Sequence, residues 1–181
     1  MTDEFSDAET AEFIRLLKKI QANDYWVPTT EAWQEVHRTF SRWCVELVIS
    51  DTKDGIPRIF LTRYTGDGMP DHKGLFHIPG GFEHLPEDIE ATCSRIAKDE
   101  LGLDVQFKDV LSVHKWTFNE SPIKARLLSL YVSCSTLGEL TSTEAKRFFS
   151  REEMLALGPK DMDQKHPHRK FIDTYLKSLE Y

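Results

Sequence analysis

Asp99 and Glu100, adjacent in the chain, are the pair of residues best suited to chemistry. Just before them Ile89, Cys93 and Ile96 recur at i, i+4 and i+7, the spacing of a core-facing helical stripe. Glu100 is the next member of that stripe, so a carboxylate stands where an apolar side chain is expected. On the core side it needs a cation or hydrogen-bond donors. Spacing alone leaves two readings open. Glu100 is either neutralised by an arginine, or it joins Asp99 in offering oxygen ligands to Mg²⁺ or Mn²⁺.

The elements that must position these acids lie on either side. A short strand ends at Ile78, and the Gly80-Gly81 turn lets the backbone pass close to the acids. Pro86 suits the first turn of the helix that follows, and Gly102 suits the position just past its last turn. Glu87 and Arg95 share the polar side of that helix. They are expected to form an ion pair that fixes the loop, with phosphate binding as the other use for Arg95.

From Gly81 through Glu87, Arg95, Ala97, Asp99, Glu100, Gly102 and Leu103, the segment resembles the Nudix box, G-x5-E-x7-R-E-U-x-E-E-x-G-U with U aliphatic. Pro79-Gly80 ahead of it fits the Pro-Gly-Gly by which the family enters the box. Asp99 is a mild departure, and Ile96 is a sharp one, because it replaces the glutamate that follows the box arginine. The resemblance implies an α+β fold, a Nudix-type α/β/α sandwich with a central mixed β-sheet. It also implies divalent-metal-dependent hydrolysis of a nucleoside diphosphate linked to another moiety. Carried over by position, Glu100 and the Gly80 carbonyl would be metal ligands, and Asp99 a ligand or the group that orients water.

Ile96 leaves room for fewer metals and removes one family base. A similar loss, with Arg95 and Glu-Leu-Gly-Leu from Glu100 onward, resembles the box of GDP-mannose mannosyl hydrolases, which attack the sugar carbon. In that comparison Arg63 falls on a phosphate-contacting arginine and Glu46 on an aspartate, both substrate-binding positions. Phe82 replaces an arginine, and Ser142 and Thr143 stand where that group has a glutamine ligand and a histidine base. Glu144 is the nearest carboxylate and becomes the candidate base, its other reading being an exposed loop acid. His77 precedes Ile-Pro-Gly-Gly and either reaches the metal cavity or serves the strand. Trp116 and Phe118 either stack on a base or pack the core, and His166-Pro-His168 is read as surface at the start of the last helix.

Elsewhere, Ser6-Asp-Ala-Glu9 is a capping box that opens a helix to about Gln21 with Phe13, Leu16, Leu17 and Ile20 on one face, and Pro28 starts a second helix to about His37. Residues 1–40 therefore read as a helical extension packed on a Nudix domain spanning 41–181. Packing, homodimerisation or a lid over the site are the uses the sequence leaves open. Strands are expected over 43–50, 58–64, 104–108, 110–118 and 125–133, with 51–55 breaking the first two. Ser150-Arg-Glu-Glu153 caps a short helix, and a last helix runs from His168 to Leu179.

The 181 residues are 40% apolar and 29% charged, enough for one domain with a core. A net charge of −7 argues against a general nucleic-acid partner and fits a phosphorylated small molecule held through metal. Cys44, Cys93 and Cys134 read as free thiols of a reducing compartment. The start carries no secretory pattern, and no apolar run is long enough to span a membrane, so a cytoplasmic protein is expected. The function expected is thus a metal-dependent hydrolase, with a nucleotide sugar as one substrate. The other reading is a catalytically silent Nudix fold that binds a nucleotide or a protein.

Overall fold

The computed structural model describes residues 5–22, 31–32, 42–65, 72–84, 86–117, 126–163 and 166–180. Helix α1 (Asp7–Gln21) opens on the expected capping box, with the Ser6 and Glu9 side chains and backbones paired reciprocally. Its residues from Asp7 to Lys19 are all exposed, Phe13, Ile14, Leu16 and Leu17 among them. The second expected helix lies outside the described residues apart from the helical pair Glu31-Ala32.

Eight strands follow: β1 (Arg42–Val48), β2 (Ser50–Lys53), β3 (Ile56–Arg63), β4 (Phe76–His77), β5 (Gly80–Phe82), β6 (Val105–Thr117), β7 (Arg126–Thr136) and β8 (Lys146–Ser150). One sheet has the order β5-β1-β7-β6, with β1 and β7 parallel and the other pairs antiparallel. The other runs β2-β3-β4, with β8 pairing to β3. The helices between and after the strands are α2 (Ile89–Leu101), α3 (Arg151–Ala156) and α4 (Pro167–Ser178).

Strand alternation sends side chains of one strand to opposite faces. Val45, Leu47, Ile49 and Phe60 join Cys93, Ile96, Ala97 and Leu101 of α2 in one core cluster. Val48, Ile59 and Leu61 join Met154 of α3 and Phe171, Ile172 and Leu176 of α4 in another. Sheets between two helical layers make the α+β sandwich expected from the sequence. No helix among the described residues is long and apolar enough to cross a membrane.

Several local expectations are corrected. The chain continues as strand through Lys53, and the reversal is confined to Asp54-Gly55, both with positive φ (52° and 79°), the two-residue turn that suits strand twist. The strand before it therefore divides at Ile49, and β2, not β1, is the hairpin partner of β3. The two strands expected over 104–118 are one strand, β6, with register shifts between Phe107 and Asp109 and between Val110 and Ser112. Helix α2 starts after Asp88, whose side chain accepts from the Ala91 N–H, so Pro86 precedes the helix rather than occupying its first turn. Its end is as expected, with Gly102 at φ 75° and its N–H returning to the Ala97 and Lys98 carbonyls. None of the three cysteines is in a disulfide, as the sequence led one to expect.

Candidate active site

Helix α2 leaves β5 through a loop that its own charges tie down. Arg95 Nε donates to Glu87 Oε1 at 2.7 Å, while its Nη2 donates to Glu87 Oε2 at 2.9 Å and to the Phe82 carbonyl at 2.7 Å. Thr92 Oγ1 also donates to Glu87 Oε2, at 3.0 Å. Arg95 above all, helped by Thr92 and opposed by the loss of some hydration, holds the Glu87 carboxyl down at a pKa of about 2. The ion pair expected of these two residues is present, and it fixes the angle at which α2 leaves the glycine turn.

At the other end of α2, the last-turn acid Glu100 is held by neutral donors. Thr62 Oγ1 donates to its Oε2 at 3.0 Å, and the Gly80 N–H donates to its Oε1 at 3.1 Å. The arginine partner that spacing left open is not what satisfies it. His77 Nε2 stands 3.8 Å from Oε2. Burial pushes the Glu100 carboxyl up to about 7, against the two hydrogen bonds that favour its charged form. Each carboxylate oxygen keeps a lone pair beyond the one its donor uses. Lys146 Nζ, on β8, meets the Leu101 carbonyl at 3.0 Å and so places a cation at the C-terminal end of the helix.

Glu100 opens on a cavity of about 290 Å³ lined by Thr62, Arg63, Tyr64, Thr65, His77, Gly80 and Asp99 besides itself. The structure thus brings four of the sequence-predicted residues, Gly80, Asp99, Glu100 and Arg63, to one wall system. Asp99 is exposed at its rim. The Arg63 guanidinium lies over the Phe76 ring at 4.0 Å and donates to the Gly74 carbonyl at 2.6 Å and to Asp161 at 3.1 Å. Its Nε reaches the Glu144 carbonyl at 3.4 Å, which brings the exposed loop of Glu144 to the cavity's edge. Glu46, Arg95 and Glu144 are not among the residues that line the cavity.

Glu46 sits behind the glycine turn. It is 4% exposed, accepts from Ser129 Oγ at 2.9 Å and pairs with His168 Nε2 at 3.3 Å. Burial works to raise its carboxyl, but His168, Cys44 and Ser129 together hold it below the usual carboxylate range. His168 Nδ1 accepts the Ile78 N–H at 3.3 Å, which leaves the proton on Nε2 facing the acid. His168 is 6% exposed and His166 packs against it, so the expected surface role of His166-Pro-His168 is wrong. Their neighbours come from strands and loops far away in sequence, which spacing within the motif cannot reveal.

His77 does reach the cavity. Burial, reinforced by His168, lowers its pKa to about 3, so its imidazole is neutral at pH 7. His114, half-buried on β6, packs edge-on against Tyr131 and Phe171. The side chains of Trp116 and Phe118 lie outside the described ones. Thr143 Oγ1 accepts the Ala145 and Lys146 N–H groups and so shapes the turn into β8, which the sequence reading had not found. Thr62 and Tyr64 were also missed; the only signal for Thr62 was a hydroxyl on a strand otherwise apolar at 59–61.

At Ile96 the structure accounts for the sharpest departure from the box. The side chain is 2% exposed, and a methyl added at Gly81 would lie 3.3 Å from its Cγ1. The position is packed against the glycine turn within the core. Among the described residues no three His, Cys, Asp or Glu side chains gather closely enough to cage a metal. The donors present fit a less demanding ion. Mg²⁺ is usually held by one or two carboxylates with water and substrate oxygens, and Glu100, Asp99 and the Gly80 backbone line one cavity.

The comparisons with known proteins agree with this geometry. A NUDIX hydrolase from Nitrosomonas europaea superposes with a TM-score of 0.59 at 18% identity, covering 78% of this chain and 93% of that one. A UDP-X diphosphatase gives 0.57 at 17% identity over 99% of this chain and 84% of its own. The NUDIX domain of Shewanella oneidensis NrtR, crystallised with ADP ribose, gives 0.53 at 15% identity over 90% and 97%. No curated protein matches the sequence. The sequence itself matches the NUDIX domain over residues 40–175, and with the box turn, its helix and the sandwich all in place, this chain belongs to the Nudix family.

Proposed function

We propose that the protein is a divalent-metal-dependent hydrolase of a nucleoside diphosphate linked to another moiety, with a nucleotide sugar as the substrate class. The observation that carries this reading is Glu100, a largely enclosed acid with neutral hydrogen-bond donors on both oxygens and, among the described residues, no arginine partner, opening on a cavity. Glu100, Asp99 and the Gly80 carbonyl would hold Mg²⁺ or Mn²⁺. Such an ion, when bound, supplies the positive charge that a diphosphate needs in an acidic site. The chain's own groups do the rest. The Glu87–Arg95 pair holds the turn, Ile96 seals the space beneath it, and His77 presents a neutral imidazole to the cavity. Glu144 is the candidate base, its loop tied to Arg63 at the rim. Residues 1–40 are taken as an extension to the Nudix domain at 41–181.

The nucleotide-sugar reading draws on the Ile96 departure and on the fold shared with a UDP-X diphosphatase. Incubation with nucleotide sugars, ADP-ribose, dinucleoside polyphosphates and nucleoside triphosphates, with and without Mg²⁺, tests it. Mg²⁺-dependent turnover of a nucleotide sugar is expected. Run in ¹⁸O water, label in the sugar marks attack at carbon, as in GDP-mannose mannosyl hydrolases, and label in phosphate marks attack at phosphorus. A second reading, a Nudix fold that binds without turnover, is favoured by the apolar packing of Ile96. Nucleotide binding with no Mg²⁺-dependent product across the whole panel would establish it in place of the first.

A further inference from the structure

We propose that Thr62 and His77 are positioning residues for Glu100, a hydrogen-bonded relay that holds its carboxylate in the geometry a cation requires. This rests on the metal reading above and adds to it the groups that aim the ligand. Strands β3 and β4 pair antiparallel with Thr62 opposite His77. Thr62 is 5% exposed, and its Oγ1 lies 3.3 Å from His77 Nε2 and 3.0 Å from Glu100 Oε2. A threonine hydroxyl has one proton. A carboxylate only accepts, so that proton goes to Glu100, and the hydroxyl oxygen must accept from His77. With Glu100 ionised, as a metal ligand must be, and His77 in its Nε2–H tautomer, the relay runs from His77 Nε2–H to Thr62 Oγ1 and from Thr62 O–H to Glu100 Oε2.

The imidazole at the start of the relay has little room to turn. Tyr64 packs on it at 4.7 Å between ring centres, and His168 stacks at 6.3 Å. His168 is itself held by the Ile78 N–H and by Glu46. Glu100, in contrast, hangs on a flexible side chain at the last turn of α2. Without Thr62, the Gly80 N–H is the one hydrogen-bond donor among the described residues that would remain to orient it. Hydrogen-bond partners behind a ligating group commonly set metal affinity by about 10- to 100-fold.

The test is Mn²⁺ binding to the full chain, read by electron paramagnetic resonance at one pH, with thermal unfolding of the metal-free protein measured alongside. Thr62→Val keeps the shape and removes the hydroxyl; Thr62→Ser keeps the hydroxyl and removes a methyl. The expected result is Mn²⁺ affinity weakened about 10-fold or more in Thr62→Val, with Thr62→Ser close to the wild type. His77→Phe should weaken Mn²⁺ binding less than Thr62→Val, and His77→Gln, which can still donate, should restore part of it. Should Thr62→Val fail to fold, the His77→Phe and His77→Gln pair carries the same comparison. Equal affinity in Thr62→Val and wild type, or equal loss in Thr62→Val and Thr62→Ser, overturns the relay. Absence of Mn²⁺ binding by the wild type overturns the metal reading itself, and the wild-type measurement alone tells the two failures apart.

Discussion

Glu46 and Glu100 approach the same glycine from two sides, and their surroundings are opposite. Gly80 donates its N–H to Glu100, while a methyl group built on its Cα would run into the Glu46 carboxylate. Glu46 has an imidazole, a serine hydroxyl and a cysteine around it and is held below the usual carboxylate range. Among the described residues Glu100 accepts from Thr62 and the Gly80 N–H, and burial pushes it up to about 7. A buried acid enclosed by several hydrogen-bond donors and away from the cavity is committed to structure. Glu100 instead opens on the cavity, and a cation arriving there is what would relieve the burial that raises its carboxyl.

The largest effect expected from this contrast is at Glu100. Glu100→Gln preserves shape and removes the charge, so turnover should fall roughly 10³-fold or more, as loss of several kcal/mol of metal-derived stabilisation requires. The thermal midpoint should stay near that of the wild type; steady-state assays and calorimetry read the two quantities. Unchanged turnover would put Glu100 in the same class as Glu46. Next comes His168→Leu, which removes a donor from the buried Glu46 carboxylate and should cost about 1.5–3 kcal/mol of stability by denaturant unfolding. Glu46→Leu added to it should recover much of that loss, because the orphaned charge is gone. A His168→Leu protein as stable as the parent would mean that His168 is not what satisfies Glu46.

Smaller effects follow from the glycine between the two acids. Gly80→Ala puts a methyl 2.9 Å from Glu46 Cδ and 3.0 Å from the Val45 carbonyl, and overpacking of this kind costs about 1–3 kcal/mol. Urea unfolding checks this, and a neutral substitution would mean that the Glu46 carboxylate does not stand against Gly80. The smallest expected change concerns acid stability at the Glu87–Arg95 pair. The Glu87 pKa is depressed from 4.5 to about 2, so its contribution is full above pH 4.5 and is lost as pH falls toward 2. In Glu87→Gln that part of the acid loss should be absent, so the two unfolding curves converge as pH is lowered. Parallel curves over that range would exclude the linkage.

The legible parts of the molecule were those governed by near neighbours. The capping boxes at Ser6 and Ser150 and the left-handed glycine at 102 appear where the sequence places them. The Glu87–Arg95 pair was also readable, since both residues lie within one loop and helix. Pro86 misled because Asp88 is the better cap and two residues moved the helix start. Strand β6 was split in two because bulges interrupt its alternation without ending its pairing. His166-Pro-His168 was misplaced because its burial depends on Glu46 and His77, which arrive from other elements.

By itself the sequence determined a core-facing helix with one acid out of pattern, closed by a glycine and preceded by a close-approach turn. Those features depend on helical period, caps and backbone freedom, all local properties of the chain. Only the tertiary structure decided that Glu100 meets Thr62 and the Gly80 N–H, and that Glu46 belongs to His168. Which side chains meet across strands depends on sheet register and on which face each residue takes, and a shift of one residue would reverse both.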